Sequence, residues 1–192
     1  NSHHPAGAWL LINLPVALLA PTGWWEFYRF SSARGIDFGS PWLAAQYLWS
    51  AEISTDTANH AGLVVMAVAV AVAWFLRRRV DVATLAFALV AVFALVNKVY
   101  SPQYWLWLTP LAALSAIRLR HFVAWQLAEL LYFVGIWRFL LFLTDNAADG
   151  ALDYRGYSLV IACHWLVTAA LVIVAVMRAW RSSAVASGKV QP

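Results

Sequence analysis

Residues 60–79 read HAGLVVMAVAVAVAWFLRRR, an apolar run without a single charge, closed by three consecutive arginines. Such a run describes a helix that crosses a membrane, with Arg77, Arg78 and Arg79 anchoring it at one lipid–water boundary. The rest of the chain agrees. Of 192 residues, 63% are hydrophobic and 11% charged, with a mean hydropathy of +0.69. A soluble domain carries about 25% charged residues, so the polar surface needed to coat a globule is missing. The fold class that follows is all-α: a polytopic helical membrane protein of about five to six spans, with an external, aromatic-rich interfacial segment.

Working outward, apolar spans are drawn at 82–97, 102–117, 122–143 and 157–177, with AWLLINLPVALLA (8–20) as a short or truncated sixth that contains Pro15. Several are shorter than the roughly 20 residues a perpendicular helix needs, which interfacial residues or local thinning would make up. Arg77–Arg79, Arg118, Arg120, Arg178, Arg181 and Lys189 fall on one side of the alternating spans. The other side holds residues 97–101 and a loop with Asp145, Asp149 and Asp153. By the positive-inside rule the arginine side is cytoplasmic and residues 97–101 face outward. The expected organisation is a first helix at 1–20, an external interfacial segment at 21–59, a transmembrane bundle at 60–181 and a disordered cytoplasmic tail at 182–192. The expected location is the plasma (inner) membrane, with several passes and the C-terminus in the cytoplasm.

The net charge of +4 and pI near 9.5 do not point to nucleic acid, because most of the thirteen Lys/Arg flank apolar segments. Cys163 is the single cysteine, so no intrachain disulfide forms. His3 and His4 are adjacent without ligand spacing; neither a metal nor a cofactor is expected. The chain opens at Asn1 without a signal-peptide pattern, which reads as the C-terminal part of a longer polypeptide.

Polar groups gather in NKVYSPQYWLWLTP, residues 97–110. Ser101 and Pro102 form a helix-start signature, serine as N-cap and proline at the first helical position. A helix beginning there turns its N–H groups and positive dipole end outward, which suits phosphate. Lys98 adds a full positive charge, while Asn97, Gln103 and Tyr104 supply directional hydrogen bonds. Two uses fit: an outward pocket for a lipid-linked phosphate, or a capped helix with a snorkelling lysine.

The pattern carried by Lys98, Ser101, Pro102, Gln103, Tyr104, Trp107 and Pro110 resembles glycosyltransferase family 87. That family lies within the GT-C class of enzymes using polyprenyl-phosphate sugars, and it includes mannosyltransferases of the cell envelope. Residues 13–42 and AELLYF (128–133) are similar to segments of related membrane proteins. The resemblance implies the C-terminal half of such an enzyme. Its partners would be membrane lipids, a polyprenyl-phosphate sugar and a lipid or glycan acceptor. It also implies a catalytic acid in an early external loop, which has no counterpart before residue 8. The catalytic residue is therefore unassigned, with Asp37, Glu52 and Asp56 as outer-side carboxylates. In such a transfer a base deprotonates the acceptor hydroxyl, and positive charge stabilises the departing polyprenyl phosphate. Lys98 and the start of the helix fit the second task. The rival classes are a lipid transporter or flippase and a non-catalytic membrane scaffold.

Other polar residues have two readings each. Arg138 is a second phosphate contact or an interface anchor. Arg34, in RGIDFGS, binds an acceptor headgroup or pairs locally with Asp37. His60 lies near the sugar or marks a helix entry. Glu129 stands nine residues from Arg138, on the opposite face of one helix, so it needs a partner from another element or a proton. His164 reads as a hydrogen-bonded packing residue.

Overall fold

A computed structural model describes residues 5–146 and 148–186; these are all-helical, with eight helices and no strand among them. The helices are α1 (Pro5–Leu19), α2 (Pro21–Ala33), α3 (Pro41–Trp49), α4 (Thr55–Leu76), α5 (Val82–Val96), α6 (Tyr104–Leu114), α7 (Leu119–Thr144) and α8 (Tyr154–Ala186). The described residues up to Gly35 form one compact unit and those from Ile36 onward a second. His3, His4 and Lys189 lie outside the described residues. Helix α8 continues through Ala186, past Ser182 where the composition predicts the tail to begin; the rest of that tail is also outside them.

In the first unit α1 and α2 meet at 111°. Pro21 is the cause: a residue before proline is driven from helical geometry, and Ala20 adopts φ −139°, ψ 61°. Trp24 Nε1 closes the corner by donating to Asn13 Oδ1 at 3.3 Å. No residue of α2 is buried, so the aromatic 21–33 stretch offers its rings outward. Its Glu26–Arg29 pair (2.6 Å) is exposed and adds little stability.

The second unit is the bundle. Helices α4 and α5 start on side-chain caps, Ser54 accepting from Thr57 N at 3.1 Å and Asp81 from Thr84 N at 2.8 Å. The core packs α7 against α8. Phe139 stacks on Tyr157 with ring centroids 4.3 Å apart, and Gly135 lets the helices close: a Cβ there would sit 2.7 Å from Val160. Helix α3 packs on α8, α5 lies among α4, α6 and α8, and α4 stays peripheral.

Three helices are long and apolar enough to cross a membrane, Thr55–Leu76, Leu119–Thr144 and Tyr154–Ala184, or four if bent α1–α2 is one span. Of the five to six spans expected, length and composition support three to four among the described residues. The stretches 82–97 and 102–117 yield helices of 15 and 11 residues, about 22 and 16 Å long against a hydrocarbon core of about 30 Å. Helix α5 begins at Val82 on its Asp81 cap and ends at Val96, whereas α6 starts only at Tyr104 and Ser115 ends it early in extended geometry.

Arg178 and the end of α6 before Arg118 meet at one end of this unit: Arg178 Nε donates to Ala116 O (2.9 Å), and Ala116 N donates to Thr84 Oγ1 (3.2 Å). Helix α8 then serves as a ruler. Trp165 Nε1 donates to Leu95 O at 3.1 Å. Trp165 is thirteen residues from Arg178 and eleven from Tyr154, about 20 and 16 Å along the axis. On α7, Tyr132 holds the carbonyl of Tyr100 (2.7 Å) from about 18 Å below Thr144. The turn 97–103 is thus sunk partway down the bundle, and α5–α6 is a hairpin that turns back before the far end.

Candidate functional site

A non-helical turn at this depth has no easy recourse to water, so each backbone group needs an internal partner. The sequence supplies them from afar. The last carbonyls of α5, which no helical N–H can reach, accept indole N–H groups: Leu95 O from Trp165 (3.1 Å) and Val96 O from Trp42 (3.0 Å). Lys98 O accepts from Asp37 N (2.9 Å), and Tyr100 N donates to Phe38 O (3.0 Å). Tyr132 takes the Tyr100 carbonyl. Residues 36–40 and 97–101, some sixty residues apart in sequence, are therefore two backbone segments clamped together.

Gly39 makes the clamp possible. It adopts φ +74°, and a Cβ on it would lie 2.0 Å from the Tyr132 hydroxyl and 2.5 Å from Tyr100 O. Only glycine meets both demands, the left-handed backbone and the close approach. Ser40 then caps α3 by accepting from Leu43 N (3.1 Å), with Pro41 at the first helical position.

Lys98 is 8% exposed. It lines a cleft of about 200 Å³ between the outer parts of α4 and α5, together with Asn97, Ala58, Asn59, Gly62 and Phe93 among others. Lysine is rarely buried unless its ammonium is served by nearby groups. Gly62 lets α4 approach: a Cβ would sit 3.3 Å from Val96 O. Lys98, Asn97 and Asn59 thus line one small cleft.

The other sequence candidates divide. Helix α6 starts at Tyr104, two residues after Pro102, on a Gln103 N-cap without a side-chain bond, so Ser101 is not its cap. The first N–H groups of α6 are already spent: Tyr104, Trp105 and Leu106 donate to the carbonyls of Ser101, Pro102 and Gln103 at 2.9, 3.3 and 3.0 Å. The helix end thus offers an anion fewer N–H groups than its sequence suggests. Tyr104 stacks on Trp107 (4.7 Å) and meets Tyr100 edge-on (5.6 Å); Gln103 is exposed. Arg138, also exposed, donates to the carbonyls of Asp149 (3.4 Å) and Gly150 (3.2 Å), holding the α7–α8 loop. His60 Nδ1 lies 2.7 Å from Asp56 O in the first turns of α4 and is exposed. Arg34 ends α2 in the first unit, its N–H on Phe30 O (3.0 Å). Of the carboxylates, Glu52 and Asp56 are exposed, and Asp37 accepts from Phe38 N (2.8 Å).

Below the turn lies a buried polar cluster. Glu129, 1% exposed, accepts from Tyr100 OH on Oε2 (3.0 Å) and from Trp125 Nε1 and Thr168 Oγ1 on Oε1 (both 3.0 Å). His164 Nδ1 stands 3.4 Å from the same Oε1, and His164 Nε2 is buried without a partner. The sequence requirement that Glu129 find partners on other elements is met by α8 and the turn. Tyr100 and Gly39 sit inside quoted stretches yet have no role on sequence reasoning; an unassigned tyrosine amid SPQY and a glycine before a helix cap were their only signals. Among the described residues no group of His, Cys, Asp or Glu has metal-binding composition. No family model, no curated protein and no solved structure matches this chain.

Proposed function

We propose that the cleft at Lys98 binds the phosphate of a polyprenyl-phosphate sugar, and that the chain is the lipid-holding part of a GT-C-like glycosyltransferase working on the outer face of the plasma membrane. The observation that carries this reading is a lysine, 8% exposed, in a backbone-clamped turn beside two asparagines at a cleft. An ammonium in such surroundings interacts with a phosphate far more strongly than it would in water. During transfer it would stabilise the charge gathering on the departing phosphate, while Asn97 and Asn59 orient the group. The lipid or glycan acceptor, and the base that activates it, have no assigned residue.

The test is binding of polyprenyl-phosphate mannose to the chain in nanodiscs. Lys98→Ala should weaken it at least about tenfold, in line with loss of a charge-assisted bond, while the melting temperature changes little. Equal binding by a folded Lys98→Ala protein overturns the assignment. Equal binding of polyprenyl phosphate with and without sugar, accompanied by flip-flop in proteoliposomes, would move the chain to the transporter class instead.

A further inference from the structure

Glu129 stands apart from the Lys98 cleft, and three buried hydrogen bonds meet on it. Two of its hydrogen-bond donors, Trp125 and Thr168, come from α7 and α8. The third, Tyr100, is the turn's own. His164, from α8, faces the same carboxylate oxygen. The acid therefore joins the two longest helices to the hairpin that carries Lys98. The backbone of Tyr100 is already held by Phe38 and Tyr132. What Glu129 adds is direction for the side chain. The Tyr100 ring lies between Tyr132 (centroids 5.3 Å) and His164 (4.5 Å), with its hydroxyl on Glu129. A buried carboxylate is costly, and closing a turn does not require one.

We propose that Glu129 is a positioning residue for the phosphate site: acting through the Tyr100 hydroxyl, it fixes the 97–103 turn and so the place of Lys98, two residues away. This rests on reading Lys98 as the phosphate ligand. A cation aimed by a rigid turn keeps its orientation, and small misplacements of a group that contacts charge cost much of its effect. Among described groups the ones facing Glu129 are Tyr100 from the turn, Trp125 from α7, and His164 and Thr168 from α8, with Tyr132 packed against both Tyr100 and His164.

The test uses the full chain in nanodiscs and polyprenyl-phosphate mannose as probe, with Tyr100→Phe, Glu129→Gln and the double variant. Affinity is measured well below every melting temperature, and amide exchange over residues 97–104 is followed without lipid. Each single variant should bind about tenfold more weakly, as expected for one lost bond to a charged group. The double variant should be no worse than the weaker single one, and exchange in the turn should quicken. Tyr100→Phe removes one oxygen only, so it carries the test if Glu129→Gln does not fold. Unchanged affinity in Tyr100→Phe overturns the proposal, whether or not exchange quickens. So do additive losses, which would show that Glu129 and Tyr100 act separately. If wild type does not bind the probe, or Lys98→Ala binds equally, the phosphate reading falls instead. The exchange data then decide whether Glu129 holds the turn at all: slow exchange in both single variants removes even that role.

Discussion

The two ends of α6 solve one problem in different ways. At the arginine-rich end the chain turns through 115–118 on few bonds, one local and the others reaching to α5 and α8. Ser115 Oγ donates to Leu111 O (2.6 Å), Ala116 N donates to Thr84 Oγ1 (3.2 Å), and half-buried Arg178 covers the Ala116 carbonyl (2.9 Å). At the sunk end the turn 97–103 takes its partners from Asp37, Phe38, Glu129 and Tyr132, and the end of α5 from Trp42 and Trp165. The contrast follows from depth. A turn near an interface has water to fall back on, whereas one partway down a bundle must be fitted with its own bonds. That investment at the sunk end is what makes it the place to look for function, since a structural reversal alone needs only the simpler arrangement.

The sharpest way to break the comparison is Gly39→Ala. A methyl group 2.0 Å from the Tyr132 hydroxyl, on a backbone at φ +74°, must displace Tyr132 or open the clamp. A loss of about 2–4 kcal/mol is expected, read as a large fall in melting temperature in detergent. Wild-type stability would mean that the 36–40 segment is not held against Tyr100. Smaller is the effect of Thr84→Val at the other end. This nearly isosteric change leaves the Ala116 N–H and one Asp81 oxygen without the partner at 3.2 and 2.8 Å. About 1–2 kcal/mol is expected, the usual cost of stranding a partly buried donor. A loss as large as that of Gly39→Ala would erase the distinction between the ends.

Much of this was legible in the sequence, and the reasons for the rest are physical. Long apolar runs with arginine at one end marked α4, α7 and α8, since burial in lipid depends on composition over a whole helix. Helices α5 and α6 look from hydropathy like further spans, because a buried hairpin and a crossing helix have the same composition; only their length of 15 and 11 residues separates them. The depth of Lys98 was hidden for the same cause, as it depends on which helix packs beside the turn. Ser101–Pro102 is a sound cap signature, overruled because the turn tightens into bonds to the carbonyls three residues back and α6 starts at Tyr104. The need of Glu129 for a partner could be read from its charge amid apolar residues. That Tyr100 would be among the partners depended on a contact 29 residues away.

The smallest expected effect is also the most discriminating about depth. Arg178→Ala removes the guanidinium from the Ala116 carbonyl. If the arginine end stands at the lipid–water boundary, water replaces the lost bond, and the change should cost under about 1 kcal/mol. Helix α8 carries the axis on which the ends are compared: Arg178 lies about 20 Å along it from Trp165, whose indole covers Leu95. A carbonyl beside Trp165 has no comparable access to water, so equal costs at the two places are not expected. Should Arg178→Ala prove as damaging as Thr84→Val, the 115–118 turn is dry as well. The bundle would then be shifted along α8 toward the outer side, with the Lys98 turn closer to the outer face than the α8 ruler implies. Thermal unfolding of Arg178→Ala in nanodiscs decides between these depths without any ligand.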